Sequence, residues 1–247
     1  MIHLKSKAEI ELIRKSGRIV YDILQNLKEK INPGVTTMEL DQLACEIIIK
    51  HDGKPAPPEV GFPGNICVSV NEEVVHGVPG DRKLKSGDIV SIDITASFNG
   101  YYGDMAATFP VGEITDEAKS LMEITEDSLY AGIAEAVDGN RLGDVSHAVQ
   151  KYVEDHGYSV VRDFVGHGIG KNMWEEPQIP NFGVPNRGVR LKKGMVLAIE
   201  PMVNMGKYEV DIMDDGWTAV TRDKSLSAHF EHTVAILDEG PDVLTKL

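Results

Sequence analysis

The 247-residue sequence predicts an α+β chain, one domain spanning 1–247, built from two pseudo-symmetric helix–helix–strand halves of about residues 1–110 and 111–247. Three observations predict it. A ten-residue stretch occurs twice, as L-K-S-G-D-I-V-S-I-D at 84–93 and L-K-K-G-M-V-L-A-I-E at 191–200, an offset of 191 − 84 = 107. Each half opens with two helix-patterned segments and continues in short apolar runs that read as strands. Each copy of the decapeptide ends in a carboxylate, Asp93 or Glu200. A carboxylate on a buried strand must be paired, protonated or bound to a metal, because an isolated charge away from water is costly.

The first helix is expected from Ser6 to Ile31. Ser6 and Glu9 fit a capping box, Ile10, Ile13, Gly17, Val20, Leu24 and Leu27 lie on one stripe, and Asn32-Pro33-Gly34 stops it. Thr36 and Glu39 form a second capping box, and Leu40, Leu43, Ala44, Ile47 and Ile48 carry that helix to about Asp52. Residues 53–64 hold four prolines and three glycines and read as a loop. Ile66–Val70 is a strand. In Ile89–Thr95 the alternation puts Ser91, Asp93 and Thr95 on one face. Asn99-Gly100 then turns the chain into a return strand, Tyr101–Phe109, carrying Asp104.

The second half repeats the order. Helices are expected at Thr115–Val137 and Gly143–Asp155, and a shift of 105 residues lays Val145, Ala148 and Tyr152 on Leu40, Leu43 and Ile47. Tyr158–Val161 is a strand, Gly166-His167-Gly168-Ile169-Gly170 a glycine-rich loop, and Glu176–Val189 a proline- and glycine-rich loop. Strands follow at Met195–Glu200, Trp217–Thr221 and Ala228–Leu237. The last has His229, Glu231 and Thr233 on one face, and Phe230, His232 and Val234 on the other.

Bulk properties exclude several functions. Lys plus Arg is 25 and Asp plus Glu is 39, a net charge of −14, which argues against nucleic acid as the main ligand. No apolar run reaches membrane-spanning length, and the charged, helix-patterned N-terminus is unlike a signal peptide. Cys45 and Cys67 lie in apolar patterns and read as buried free thiols of a reducing cytoplasm. Lys5, Lys7, Arg14, Lys15 and Arg18 read as a solvated helix face rather than a binding patch.

Four acids sit on apolar strands: Asp93, Asp104, Glu200 and Glu231. His167 sits between glycines. Any one of them alone reads as an ordinary strand-edge group. Converging without matching Lys or Arg, four acids repel one another unless cations are present. Oxygen ligands with one imidazole suit two hard or borderline divalent ions. The glycine run lacks both the following Lys and the G-x-G-x-x-G spacing of phosphate loops. Its glycines read as room for backbone beside a ligand, with His167 facing a cavity.

Across nearly its whole length the chain resembles the type I methionine aminopeptidases, of pita-bread fold. The resemblance is carried by Lys7 to Ile19, Gly61-Phe62-Pro63 through His76-Gly77, and Ser91-Ile92-Asp93 with Gly103-Asp104. It continues in Gly166 to Gly170, Ile199-Glu200-Pro201 and Ser227 to His232. It implies a central antiparallel sheet with a dimetal site between the halves, ligated by Asp93, Asp104, His167, Glu200 and Glu231. Asp93 is then a chelating ligand, Asp104 and Glu231 bridge, and His167 and Glu200 complete the second ion's shell. The metals, Co, Mn, Fe or Zn, activate the attacking water, and Glu200 is the general base. His76 hydrogen-bonds the peptide nitrogen beyond the scissile bond. Phe62, Cys67, His76 and Trp217 form the methionine pocket, although ordinary core packing explains Phe62 and Cys67 equally well.

The chain departs from the family at Met173-Trp174-Glu175-Glu176-Pro177, where Trp174 stands in place of a usual histidine. That histidine would donate to the substrate carbonyl oxygen, and losing such a donor costs roughly 10²–10³ in rate. Either the Trp174 indole N–H serves instead, or His229, where the family usually has Gln, compensates. A supporting hydrogen bond from His229 to a ligand is an equal alternative.

The leading expectation is a cytoplasmic, monomeric enzyme that removes initiator methionine from nascent chains with small second residues. Transient ribosome association is implied by the family only. One alternative is an Xaa-Pro aminopeptidase, but a first helix at Ser6 leaves no room for the large N-terminal domain those enzymes usually carry. The other is a catalytically weak pita-bread protein that binds partners.

Overall fold

The computed structural model describes residues 2–246. Helix α1 (Lys7–Lys28) and helix α2 (Thr37–Lys50) both begin with the capping boxes read from the sequence: Ser6 accepts from the Glu9 amide and Thr36 from the Glu39 amide. Helix α1 ends three residues before the expected Ile31, its last carbonyls taken up by turn bonds from Lys30 and Ile31. The second pair is α3 (Asp116–Ala134) and α4 (Leu142–Asp155). Among the described residues, no helix is long and apolar enough to cross a membrane.

Strands β1 (Lys54–Pro55), β2 (Cys67–Val70), β3 (Glu73–Val75), β4 (Ile89–Phe98) and β5 (Tyr101–Pro110) belong to the first half. The expected 53–64 loop is thus ordered, with β1 paired to β4 and a 3-10 turn at Pro57–Val60. The second half supplies β6 (Ser159–Val160), β7 (Val165–Gly168), β8 (Glu175–Pro180), β9 (Val196–Ile199) and β10 (Met202–Asn204). It continues with β11 (Val210–Ile212), β12 (Ala219–Thr221), β13 (Ser227–His229), β14 (Glu231–Leu237) and β15 (Gly240–Val243).

The main sheet runs β1-β4-β5-β14-β9-β7-β8, every neighbour antiparallel, with β2 also on β4 and β15 on β14. Strand β14 therefore joins the two halves: Glu231 pairs with Ala106 of β5, and Thr233 with Ala198 of β9. The β4–β5 hairpin turns at Asn99 and Gly100, both at positive φ (52° and 78°), the geometry that Asn-Gly favours.

Several expectations need correction. Residues 165–168 are a strand, not a loop, and the residues from Glu175 to Pro180 pair with it. The glycines make room for neighbouring backbone, not for a ligand. A Cβ on Gly166 would sit 2.3 Å from the Ala198 carbonyl oxygen, and one on Gly168 would sit 2.3 Å from that of Glu176. The expected 228–237 strand is split at Phe230. β13 joins a small sheet with β10 and β6, while β14 joins the main one, so the chain passes between sheets at the site itself.

The core lies between the four helices and the sheet, with Leu24, Leu27, Ile92, Ile94, Leu121 and Leu197 essentially inaccessible. Helix α1 approaches β5 closely because Gly103 has no side chain: a Cβ there would lie 2.7 Å from Gly17 N, while Gly17 itself makes room for the Leu244 carbonyl, 2.7 Å from where its Cβ would be. Both cysteines are free; Cys67 is buried and Cys45 only half-buried. Lys5 is no part of a solvated face. It is buried, and its Nζ lies 2.7 Å from Glu175 Oε2.

Candidate metal centre and substrate cavity

Five donors reach one cavity of about 540 Å³ from four strands and one strand end. Asp93 comes from β4, where alternation on the pleat also brings Thr95 to the same face. Asp104 comes from β5, where it pairs with Thr95 in register. His167 comes from β7, Glu231 from the first position of β14, and Glu200 from the residue following β9. The two decapeptide copies thus place their terminal acids in the same cavity from opposite halves.

The geometry is close. Ligand atoms of Asp104, His167 and Glu231 all lie within 4.8 Å of one another. His167 Nε2 is 3.6 Å from Asp104 Oδ2 and 3.6 Å from Glu200 Oε1. The other ring nitrogen is engaged: Nδ1 donates to the Gly168 carbonyl oxygen at 2.9 Å, which leaves Nε2 with its lone pair towards the acids. Thr95 Oγ1 donates to Asp104 Oδ1 at 2.7 Å, leaving Oδ2 for the cavity. Thr233 holds the Asp104 backbone from β14, accepting from its amide and donating to its carbonyl. Asn181 Nδ2 donates to the Glu200 carbonyl oxygen at 3.0 Å.

The electrostatics are those of a site built for cations. Burial raises the Asp93 pKa to about 7. Burial, and then the neighbouring carboxylates, push Asp104, Glu200 and Glu231 well above the ordinary range. Burial lowers His167 to about 4, so the imidazole is neutral and able to coordinate. Glu231 Oε1 is buried with no hydrogen-bond partner, an orphan that a bound cation explains. Among the described residues, no Lys or Arg lines the cavity. Carboxylate oxygens with one imidazole form the donor set of a hard or borderline divalent ion, so the residues fit the metals expected of them.

The remaining expected residues also line the cavity. Phe62 and Trp217 meet edge to face, ring centres 5.4 Å apart, and Cys67 sits opposite Asp93 on β2. His76 stands edge-on to Phe164 at 5.3 Å, and burial lowers its pKa. Its backbone is in the left-handed region (φ 58°), held by the Thr218 hydroxyl on its carbonyl and by Gly77, where a Cβ would meet the Val68 oxygen at 2.3 Å. Trp174 stands at the mouth, 56% exposed.

His229 is the exception. It lies 1% exposed behind the cavity wall rather than on it, with an unpartnered Nε2 3.9 Å from Glu200 Oε2. Sequence reasoning left out Phe164, Met173 and Met202, which line the cavity as apolar wall, and the supporting Thr233 and Asn181. Thr233 was visible as a face-mate of Glu231; nothing local marks Asn181.

The model of metallopeptidase family M24 matches residues 11–238. A methionine aminopeptidase of Clostridium perfringens is 56% identical over 99% of both chains, and methionine aminopeptidase 1 of Bacillus subtilis is 54% identical over 100% of both. The crystal structure of methionine aminopeptidase from Thermotoga maritima covers 100% of both chains at 48% identity, with a TM-score of 0.98. A prolidase from Pyrococcus furiosus shares the fold at TM-score 0.78 and 24% identity, with 65% of its chain covered.

Proposed function

The chain belongs to metallopeptidase family M24, and on that premise we propose that it removes the N-terminal methionine from peptides and proteins with its five cavity donors as metal ligands. The pita-bread fold and the metallo-exopeptidase activity are those of the family. One observation carries the reading: four carboxylates and a neutral imidazole converge in one cavity that, among the described residues, no Lys or Arg lines.

Asp93, Asp104, His167, Glu200 and Glu231 would hold two divalent ions, from Co, Mn, Fe or Zn. When bound, they neutralise the carboxylates and supply Lewis acidity towards the scissile carbonyl and the attacking water. The chain's own residues do the rest. Glu200, 3.6 Å from His167 Nε2, accepts the proton of the attacking water and returns it to the leaving amine nitrogen. His76, kept neutral by burial, accepts a hydrogen bond from the peptide N–H beyond the scissile bond. Phe62, Trp217 and Cys67 enclose the methionine thioether with aromatic and sulfur surface.

His229 supports Glu200 from behind the wall. Its distance of 3.9 Å from that carboxylate, and its absence from the cavity surface, favour a positioning residue over a replacement carbonyl donor. Residues 1–247 act as one catalytic domain, a cytoplasmic monomer that works on nascent N-termini, with transient ribosome contact. The Xaa-Pro and non-catalytic alternatives are not favoured, because the full-length relatives are methionine aminopeptidases.

Metal analysis of purified protein, with a Met-Gly peptide assay before and after chelation, tests the proposal. Bound divalent metal and metal-dependent methionine release are expected. A Glu200→Gln variant should fall in kcat by roughly 10²–10⁴. A chain that binds no metal and cleaves nothing overturns the reading.

A further inference from the structure

A polypeptide whose amino terminus reaches the buried acids must leave through the mouth of the same cavity. The exposed side chains that line that mouth are therefore in its path. The chain has two tryptophans, and both line this cavity; Trp217 is half-buried, whereas Trp174 is 56% exposed. An indole left in water beside well-packed neighbours marks an interaction surface.

The neighbours of Trp174 hold it there. Met173 is buried, and Glu175 is tied inward by the buried Lys5 at 2.7 Å and by the Asn172 amide. Gly170 leaves room for that pair, since a Cβ would fall 2.7 Å from Glu175 Oε1. With both flanks anchored, the side chain between them projects from a fixed base.

The surrounding charge is one-sided. Asp163 and Glu176 are exposed on the cavity lining, and neither is in an ion pair among the described residues. The cations of this region make their direct contacts with other partners. Arg222 pairs with Asp211 at 2.8 Å, although its charge also reaches Asp163; Arg162 lies over the Tyr208 ring at 4.2 Å, and Lys171 is 4.0 Å from Glu9. An exposed indole sharing a cavity lining with two carboxylates that form no ion pair among the described residues has the chemistry to receive a cationic side chain.

Resting on the aminopeptidase reading, we propose that Trp174, Asp163 and Glu176 form an exit-side subsite. It selects substrates with Lys or Arg at the third or fourth residue. The indole face takes the cation, and the two carboxylates add attraction that salt weakens.

The test compares kcat/KM for Met-Ala-Xaa-Ser peptides with Xaa as Lys, Leu or Glu. Wild type should prefer Lys to Glu by roughly three- to tenfold at low salt, falling towards parity at high salt. Moving the Lys to the eighth residue of a longer peptide should abolish the preference. That separates a local subsite from general attraction to a −14 protein. Trp174→Ala should collapse the Lys-to-Glu ratio, and Asp163→Asn with Glu176→Gln should reduce it, whatever each does to absolute turnover.

Dissociation constants of the same peptides for the metal-free chain should show the same order without any turnover. Equal values for Lys and Glu in wild type, or a ratio unmoved in Trp174→Ala, overturn the subsite. Absence of methionine release from every peptide, with metal supplied, instead overturns the aminopeptidase reading and leaves the binding measurement to decide the subsite.

Discussion

At the scale of single residues, the site separates groups that look alike in the sequence. Asp93 and Glu200 end the same decapeptide, yet Asp93 lies within β4 and Glu200 just beyond β9. His229 and His167 are both neutral because burial lowers them, to about 3 and about 4, but only His167 faces the cavity. If His229 positions Glu200, His229→Ala should lower kcat severalfold while KM and metal content hold, and His229→Gln should restore part of it. Unchanged kcat/KM in His229→Ala would remove the role. The proposed metal donors were legible as residues because acids on apolar strands are conspicuous. The support was not: Thr95, Thr233 and Asn181 act through pairings that join segments distant in sequence.

At the scale of elements, the helices and the β4–β5 hairpin were legible because caps and turns are local chemistry: Ser6 with Glu9, Thr36 with Glu39, Asn99 with Gly100. The strands around His167 were not. Their glycines look like loop punctuation, and only the facing carbonyls of Ala198 and Glu176 reveal them as close strand contacts. Nor does the sequence announce that Lys5 leaves its basic neighbours to meet Glu175 of β8, binding the N-terminal stretch to the cavity wall. Side chains 3% and 12% exposed put this pair largely out of water. Lys5→Met leaves the Glu175 carboxylate without its cation, and should cost about 3 kcal/mol in urea unfolding. A larger residue at Gly103 strikes α1 at Gly17. Gly103→Ala should cost about 1–3 kcal/mol in the same assay.

At the scale of the whole molecule, the buried titratable groups set a pH dependence for the metal-free chain. Buried neutral histidines (His167, His229 and His232) have folded pKa values of about 4, 3 and 4, below their unfolded value. The unfolded chain then binds more protons, so these groups add stability as pH rises to roughly 6.5. The buried acids act oppositely. Their folded pKa values are raised, to about 7 for Asp93 and well above the ordinary range for Asp104, Glu200 and Glu231. The folded chain binds more protons than the unfolded one from roughly pH 4 upwards, and stability is lost as pH climbs through the raised values. Above roughly pH 6.5 only the acids remain in play. Chelated protein should therefore lose Tm steadily from pH 6.5 to 8.5, and divalent metal should abolish that slope by occupying the deprotonated acids. A flat Tm for the chelated chain over that range would contradict the buried acid cluster.

Strand β14 lies between β5 and β9 in space, yet it follows both in sequence. Translation runs from the amino terminus, so the two halves of the sheet emerge before the strand that seals them together. Until then, the edges of β5 and β9 are open to pairing with the wrong partner. The cavity also lacks Glu231, the last of the proposed donors to be made. A growing chain is thus kept both unsealed and inert until β14 slots home, and one late event completes the architecture and arms the chemistry together.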